Sequence, residues 1–298
     1  MFKRLVNCLR IISRRLAFDP IAVSRIEDKV DALTELVKVT NDITRVPAAH
    51  GLQRMAQLAN AQLLKRVTDV LDANGIPYWL SFGTLLGAVR HGGSVPWDDD
   101  IDIGVLRADH NRLVEILNRA FSSEPNFLAV KSDVIRVLLT DSSSQIDIFA
   151  YDEYNVDGEA RDRLKRDYWT CHRSIRVDYS RLMDNKGVIV DMADDEIQAL
   201  QRKLAARYDG AERVLMPGIE CGTERPRMCD WSWIFPLRKI RYEGMEFSCP
   251  NKPAYVLIDV YGDFMAFPGT IHGHADIKAR RTLDAYRRYE SLLKGGES

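Results

Sequence analysis

Four aspartates fall within five residues, at Asp98, Asp99, Asp100 and Asp102, with Ile101 between them and apolar Val95, Pro96, Trp97, Ile103 and Val105 on either side. Like charges at this density repel one another, and beside an apolar run they call for a cation to offset them. Carboxylate oxygens are hard ligands that suit Mg²⁺ or Mn²⁺. Along an extended strand residues i and i+2 leave on the same face, so Asp100 and Asp102 present two carboxylates to one point while Ile101 and Ile103 turn toward a core. The cluster predicts a metal site for phosphate chemistry mounted on a sheet.

The chain has 298 residues, 46% of them apolar, enough for one large core or two modest ones. Helical periodicity from Leu52 to Asn74 closes on Gly75, placed as the residue after a helix C-terminus, before Pro77. Beyond it the pattern reads as a strand over Tyr78 to Ser81, a helix over Thr84 to Arg90, a strand over Ile101 to Val105 and a helix over Ala108 to Phe121. Strands follow near Phe127 to Lys131, Ile135 to Leu139 and Ile146 to Tyr151. The second half reads as helix-rich, over Arg161 to Tyr168, Asp195 to Tyr208, Ala254 to Tyr261 and Ile277 to Leu293. The fold class is α/β or α+β, a mixed sheet flanked by helices, with residues 51–298 as the catalytic domain and 1–50 as a helical, coiled-coil extension.

Two further features sit beside the aspartates. Gly83-Thr84 opens a helix after a strand, where backbone N–H groups and a hydroxyl suit phosphate oxygens, and the same N–H groups suit a helix cap. Asp147 lies between Ile146 and Ile148 on a strand candidate that fits beside the first, either as a third acid of the site or as the partner of a neighbouring arginine. Asp98 is expected to share the face of Asp100 and Asp99 to point away. Arg90 either grips a phosphate or pairs with a surplus aspartate, the second being favoured, while His91 reads as a loop histidine and Trp97 as core.

Gly-Thr at a helix entrance, Asp-x-Asp on one strand and a lone Asp on the next resemble the nucleotidyltransferase fold. The longer run Tyr78-Trp79-Leu80-Ser81-Phe82-Gly83-Thr84-Leu85-Leu86-Gly87-Ala88-Val89-Arg90-His91-Gly92-Gly93, then Val95-Pro96-Trp97-Asp98-Asp99-Asp100-Ile101-Asp102-Ile103, resembles the signature of the LicD family, which includes bacterial phosphocholine transferases and the fukutin-related proteins. Phe235-Pro236-Leu237, Tyr242-Glu243-Gly244, Cys249-Pro250-Asn251 and Tyr261-Gly262-Asp263 have the order and spacing of that family's closing motifs. The resemblance covers about Leu52 to Pro268. It implies transfer of a phospho-alcohol unit, such as phosphocholine, ribitol phosphate or glycerol phosphate, from a CDP-activated donor to a hydroxyl of a cell-surface glycan or glycolipid. It also implies Asp100, Asp102 and Asp147 as ligands of Mg²⁺ (or Mn²⁺) and as the catalytic residues, with Asp147 either a third ligand or the acceptor of the hydroxyl's proton. Gly83, Thr84, Arg90 and Asp98 become substrate-binding residues. The competing readings are nucleotidyl transfer from a nucleoside triphosphate and a non-catalytic scaffold in a glycan-assembly complex.

The N-terminal segment spaces Phe2, Leu5, Val6, Leu9, Ile12 and Leu16 among basic residues as a cationic amphipathic helix. Residues 1–18 therefore either rest on an anionic membrane surface or pack on protein. Val23, Ile26, Val30, Leu33, Val37 and Thr40 follow the 3-4 spacing of a coiled coil, which predicts self-association through residues 20–41. No stretch reads as a signal peptide or a spanning helix, and five irregularly spaced cysteines fit reduced thiols, so a cytoplasmic protein, at most peripheral at the inner face of the membrane, is expected. A net charge of -1 gives no nucleic-acid signal. The basic run Arg161, Arg163, Lys165, Arg166, Arg173 and Arg176 alternates with acids as a solvated face does, and His272 and His274 lack the further ligands of a zinc site.

Overall fold

The computed structural model describes residues 42–140, 142, 144–175, 177–178, 189–190, 194–221, 226–269 and 283–295. The chain divides into two units, Met1–Val46 and Pro47–Ser298. Of the first, the described part is a short 3-10 turn, Ile43–Arg45, whose Asp42 carboxylate accepts the Thr44 N–H at 2.9 Å. The amphipathic helix, the coiled coil and the His272/His274 pair lie outside the described residues. Everything below concerns the second unit.

Helix α1, Gly51–Ala73, buries Leu63, Leu64, Val67 and Leu71 on a stripe of spacing three and four, as an amphipathic helix must. It stops where Gly75 takes the left-handed conformation at φ 63°, and the Asn74 side chain donates to the Val70 carbonyl at 2.8 Å. Strand β1, Tyr78–Leu80, leads into helix α2, Phe82–His91, then strand β2, Asp102–Leu106, and helix α3, Arg107–Ala120. Strands β3, Phe127–Lys131, and β4, Ile135–Leu139, precede β5, Ser144–Val156, which runs thirteen residues.

The sheet order is β1-β2-β5-β4-β3, with β2 parallel to β5 and the other pairs antiparallel. A parallel pair needs a crossover, and α3 with the β3–β4 ribbon supplies it. Ile101, Ile103 and Val105, with Ile146, Ile148 and Ala150, are fully buried on one face, so the alternate positions Asp102, Gly104, Asp147 and Phe149 share the other. Gly104 is needed there, since a Cβ would lie 2.6 Å from the Trp79 ring.

The second half is helix-rich, as expected, and also carries short strands. Helices α4, Arg161–Ser174, and α5, Asp194–Ala205, are accompanied by strands β8, Glu212–Pro217, and β9, Cys229–Asp230, which extend the sheet from the far half of β5. A two-residue ribbon of β6, Val177–Asp178, and β7, Ile189–Val190, lies between those helices in sequence. After the short helix α6, Trp231–Ile234, strands β10, Arg238–Tyr242, and β11, Met245–Cys249, form a hairpin, followed by helices α7, Pro253–Tyr261, and α8, Leu283–Gly295. These strands are short and mix charged with apolar residues, leaving little period-2 signal. Arg161 is bound to Glu212 and Asp230, consistent with the solvated reading of its basic run.

Beyond Asp147, β5 carries Asp152 into a buried ion cluster in which the Arg107 Nε and Nη2 reach Asp152 at 2.8 and 3.0 Å and Nη2 reaches Glu220 at 2.8 Å. Gly218 makes room for that guanidinium, since a Cβ would stand 2.3 Å from Nη2. The last residues of β5, Tyr154 and Val156, enter a second core with Leu164, Tyr168, Leu204 and Met216. Among the described residues no helix is long and apolar enough to cross a membrane.

Candidate active site

The acidic run is an irregular segment that leaves a turn at Pro96-Trp97 and is held from outside, rather than an extended strand. Asp98 N–H donates to the Val95 carbonyl at 2.9 Å, and β2 begins only at Asp102. Three amides on one face of α1 fix it: Gln53 and Gln57 donate to the Asp98 carbonyl at 2.8 and 2.7 Å, and Asn60 donates to the Asp99 carbonyl at 2.9 Å. Their spacing of four and three residues is that of neighbours on a helix. Gln57, which also reaches the Val95 carbonyl at 3.1 Å, and Asn60 are buried. Truncating Gln57 to alanine removes one donor each from the Asp98 and Val95 carbonyls, which keep Gln53 and the Asp98 N–H, at a cost of about 1 kcal/mol. Thermal unfolding should show that loss together with a weaker response of the melting temperature to divalent ions.

The start of α2 closes the other side. Phe82 enters the helix at φ 41°, a left-handed conformation costly for a non-glycine residue. At Gly83 a Cβ would lie 2.3 Å from Asp98 Oδ2, so only glycine lets that carboxylate approach. The Gly83 N–H bonds the Asp102 carboxylate, and the Asp102 N–H donates to Thr84 Oγ1 at 2.8 Å. The helix entrance therefore seats the acid segment, and both Gly83 and Thr84 face the aspartates.

Asp147 stands opposite Asp102 in the parallel register of β5 and β2, with its N–H donating to the Ile101 carbonyl at 2.8 Å. Arg136 on β4 pairs with it across the antiparallel ladder, Nε lying 3.5 Å from Asp147 Oδ1, and the same guanidinium reaches Asp133 at 3.0 Å. Asp147 is thus both neighbour to Asp102 and partner of an arginine.

Carboxylate oxygens of Asp98, Asp99 and Asp100 come within 4.8 Å of one another. Asp99 was expected to point away; the segment is not extended, so the strand alternation on which that expectation rests does not apply, and Asp99 is buried between half-buried Asp98 and Asp100. Burial, then the charge of Asp100 and a hydrogen bond with it, push Asp98 up to about 8. Burial raises Asp102 well above the usual carboxylate range, and the charges of Asp100, Asp147 and Asp98 add to it. Without a counter-cation the cluster retains protons near neutrality. A set of hard oxygens that is both desolvated and crowded by like charge fits a divalent ion.

Arg90 does not pair with an aspartate among the described residues. It lies seven residues along α2 from Gly83, about 10 Å at the helical rise, while the acids gather at the helix start. Its guanidinium is 7% exposed, its Nε and Nη2 lack hydrogen-bond partners, and its Cζ lies 6.0 Å from the Trp97 ring centroid. Burial lowers its affinity for the proton. His91 is half-buried beside it.

Two groups of the closing motifs were not read as site residues. Tyr261 is 42% exposed, yet partial desolvation and the charges of Asp102, Asp98 and Asp100 raise the pKa of its hydroxyl, which stays a neutral donor near the acids. Glu243, at φ 51° in the β10–β11 turn, accepts two bonds from Arg54 at 2.7 and 2.6 Å and the Ser94 N–H at 2.7 Å, which ties α1 and the loop before the aspartates to the hairpin. Gly93 permits this, since a Cβ would lie 2.6 Å from Glu243 Oε1. The motifs Tyr261-Gly262-Asp263 and Tyr242-Glu243-Gly244 were the available signals; the three amides of α1 had none beyond their spacing.

Comparison with known proteins agrees with these motifs. A family model described as "LicD/FKTN/FKRP, nucleotidyltransferase domain" matches residues 75–196. "Lipopolysaccharide cholinephosphotransferase LicD" of Haemophilus influenzae is 30% identical over 254 residues, covering 72% of this chain and 92% of that protein. "Ribitol 5-phosphate transferase FKRP" of Homo sapiens is 34% identical over 114 residues, 36% of this chain and 22% of that protein. "Uncharacterized protein RP689" of Rickettsia prowazekii is 52% identical over 56 residues, 19% of this chain and 21% of that protein. The chain thus spans about a fifth of the length of the human and Rickettsia relatives and nearly all of the Haemophilus one.

Proposed function

The chain belongs to the LicD/FKTN/FKRP family, and from that membership and the geometry of the acid segment we propose that it is a metal-dependent transferase. It moves a phospho-alcohol unit, phosphocholine, ribitol phosphate or glycerol phosphate, from a CDP-activated donor to a hydroxyl of a cell-surface glycan or glycolipid. The observation that carries the reading is the parallel register placing Asp147 level with Asp102, with the Asp98–Asp100 segment seated on the Gly83-Thr84 helix entrance. In this reading Asp100, Asp102 and Asp147 hold Mg²⁺ or Mn²⁺. The ion, when bound, neutralises the diphosphate and supports an in-line displacement.

The chain's own residues do the rest. Gly83 and Thr84 orient Asp102, and Asp98 closes the segment against Gly83. Arg136 holds the Asp147 carboxylate in place for the incoming hydroxyl, whose proton Asp147 accepts if it is not itself a ligand. Tyr261 supplies a neutral O–H to a phosphate oxygen, and Arg90, already desolvated and with free donors, meets the donor's remaining negative charge.

The test is product analysis with CDP-choline, CDP-ribitol, CDP-glycerol and nucleoside triphosphates, each with Mg²⁺ and a glycan fraction. Acceptor-dependent release of CMP from one CDP-alcohol is expected. Release of pyrophosphate from a triphosphate would overturn the reading in favour of nucleotidyl transfer. Metal that raises the melting temperature while no CDP-alcohol binds would favour a scaffold.

The raised carboxyls give a pH prediction of definite sign. A carboxyl whose folded pKa lies above its unfolded value of about 3.8 binds more protons folded than unfolded, so its contribution falls as pH rises. The metal-free protein should therefore lose stability between about pH 4 and pH 8 through Asp98, and Asp102, also raised, adds to the loss. Added Mg²⁺ should restore it most at the upper end, and proton release on binding should appear in calorimetry run in buffers of different ionisation enthalpy.

A further inference from the structure

Helix α7 buries Val256 and Leu257 but leaves Ala254, Tyr255, Ile258 and Tyr261 exposed, and the exposed run continues through Gly262, Met265 and Ala266. Positions 255, 258 and 261 repeat at a spacing of three along the helix, so they lie on one side of it, and none of them is charged. Tyr255 is 54% exposed, Ile258 56% and Met265 46%. Scattered apolar exposure is ordinary; a contiguous stripe marks a contact surface.

The surroundings identify the partner. The Trp233 ring lies 5.5 Å from that of Tyr255, and the Lys252 Nζ lies 5.6 Å from the centre of the same tyrosine. The β10–β11 hairpin, which leads into α7 through Cys249-Pro250-Asn251-Lys252, exposes Arg238, Lys239 and Arg241 against one exposed carboxylate, Glu246. Glu243 is occupied by Arg54, and Asp263 turns back to its own backbone, its Oδ1 accepting the Met265 N–H at 3.2 Å. Aromatic rings with polar tips, aliphatic side chains between them and a basic margin are the composition of an interfacial surface.

We propose that the exposed face of α7 docks on an anionic lipid bilayer, with Tyr255, Ile258 and Met265 entering the interfacial layer and Lys252 and the basic hairpin meeting lipid phosphates. The basic margin selects an anionic surface, which an apolar stripe alone does not. Tyr261, whose hydroxyl feels the charges of the aspartates, ends the stripe, so a bilayer on this face would lie near the acid segment. The proposal concerns residues other than 1–18 and does not depend on the transfer reaction proposed above.

Hydrogen exchange of the full chain tests it, with vesicles of phosphatidylcholine alone and of phosphatidylcholine mixed with phosphatidylglycerol. On the mixed vesicles the amides of residues 253–265 should slow by about tenfold or more, with little change on phosphatidylcholine alone. Ile258→Glu should abolish that slowing at an unchanged melting temperature, and Ile258→Leu should keep it. Vesicle binding without protection at 253–265, or no binding to the mixed vesicles, overturns the proposal. So does protection that grows with protein concentration in the absence of lipid, which would assign the face to a second copy of the chain.

Discussion

Replacing Asp102 with asparagine is expected to lower transfer roughly a thousandfold, since an ion that loses one anionic ligand loses several kcal/mol of its hold on the developing charge. The same change should raise the melting temperature of the metal-free protein. Asp102 is half-buried beside the charges of Asp100, Asp147 and Asp98, and its own charge there is a cost that the cation, not the fold, offsets. Asparagine keeps an oxygen for the Gly83 N–H and removes the repulsion. A gain of about 1 kcal/mol would appear as some 2–4 °C in a domain of this size. Melting curves with and without Mg²⁺, beside rates, separate the two effects: the variant should be more stable without metal and gain less from it. A variant with near-normal rates would rule out the metal role assigned to this residue.

Gly83→Ala should cost about a hundredfold in rate with little change in stability. The new methyl group would lie 2.3 Å from Asp98 Oδ2, and the atom that must yield is the end of a carboxylate side chain. Displacing it by an ångström is enough for a loss of that order, while alanine inside a helix is favoured over glycine and offsets part of the crowding. Gly87→Ala provides the contrast. Its Cβ would meet the Gly93 carbonyl oxygen at 2.4 Å and the Val95 nitrogen at 2.9 Å, both backbone, so the loop cannot step aside and the protein should unfold at lower temperature. Rates and melting temperatures of the two variants, measured side by side, check both claims.

Much of this arrangement was legible because it follows local rules. The helix ending at Gly75, the strands around Ile103 and Ile148 and the helix entrance at Gly83 each depend on periodicity or on one special residue. The register of Asp147 against Asp102 was legible only as a suggestion, since the partner of a strand is decided by distant chain. Asp99 was misplaced because strand alternation was extended into a segment that three amides of α1 hold in an irregular form. The pairing of Arg90 with an aspartate was read from closeness in sequence, and among the described residues its guanidinium lies over Trp97 instead. The strands β8 to β11 were missed because two are only half apolar and one is two residues long.

The thirteen residues of β5 act as a graduated rule on which unrelated parts of the molecule are marked off. Asp147 is set against Asp102, Asp152 against Arg107, and Tyr154 and Val156 in the second core, all along one strand. Sliding such a strand by a single residue exchanges its two faces. Inserting or deleting one residue between Asp147 and Asp152 would therefore leave at most one of these carboxylates in place, so length changes should be tolerated on the surface loops of this chain and excluded from β5.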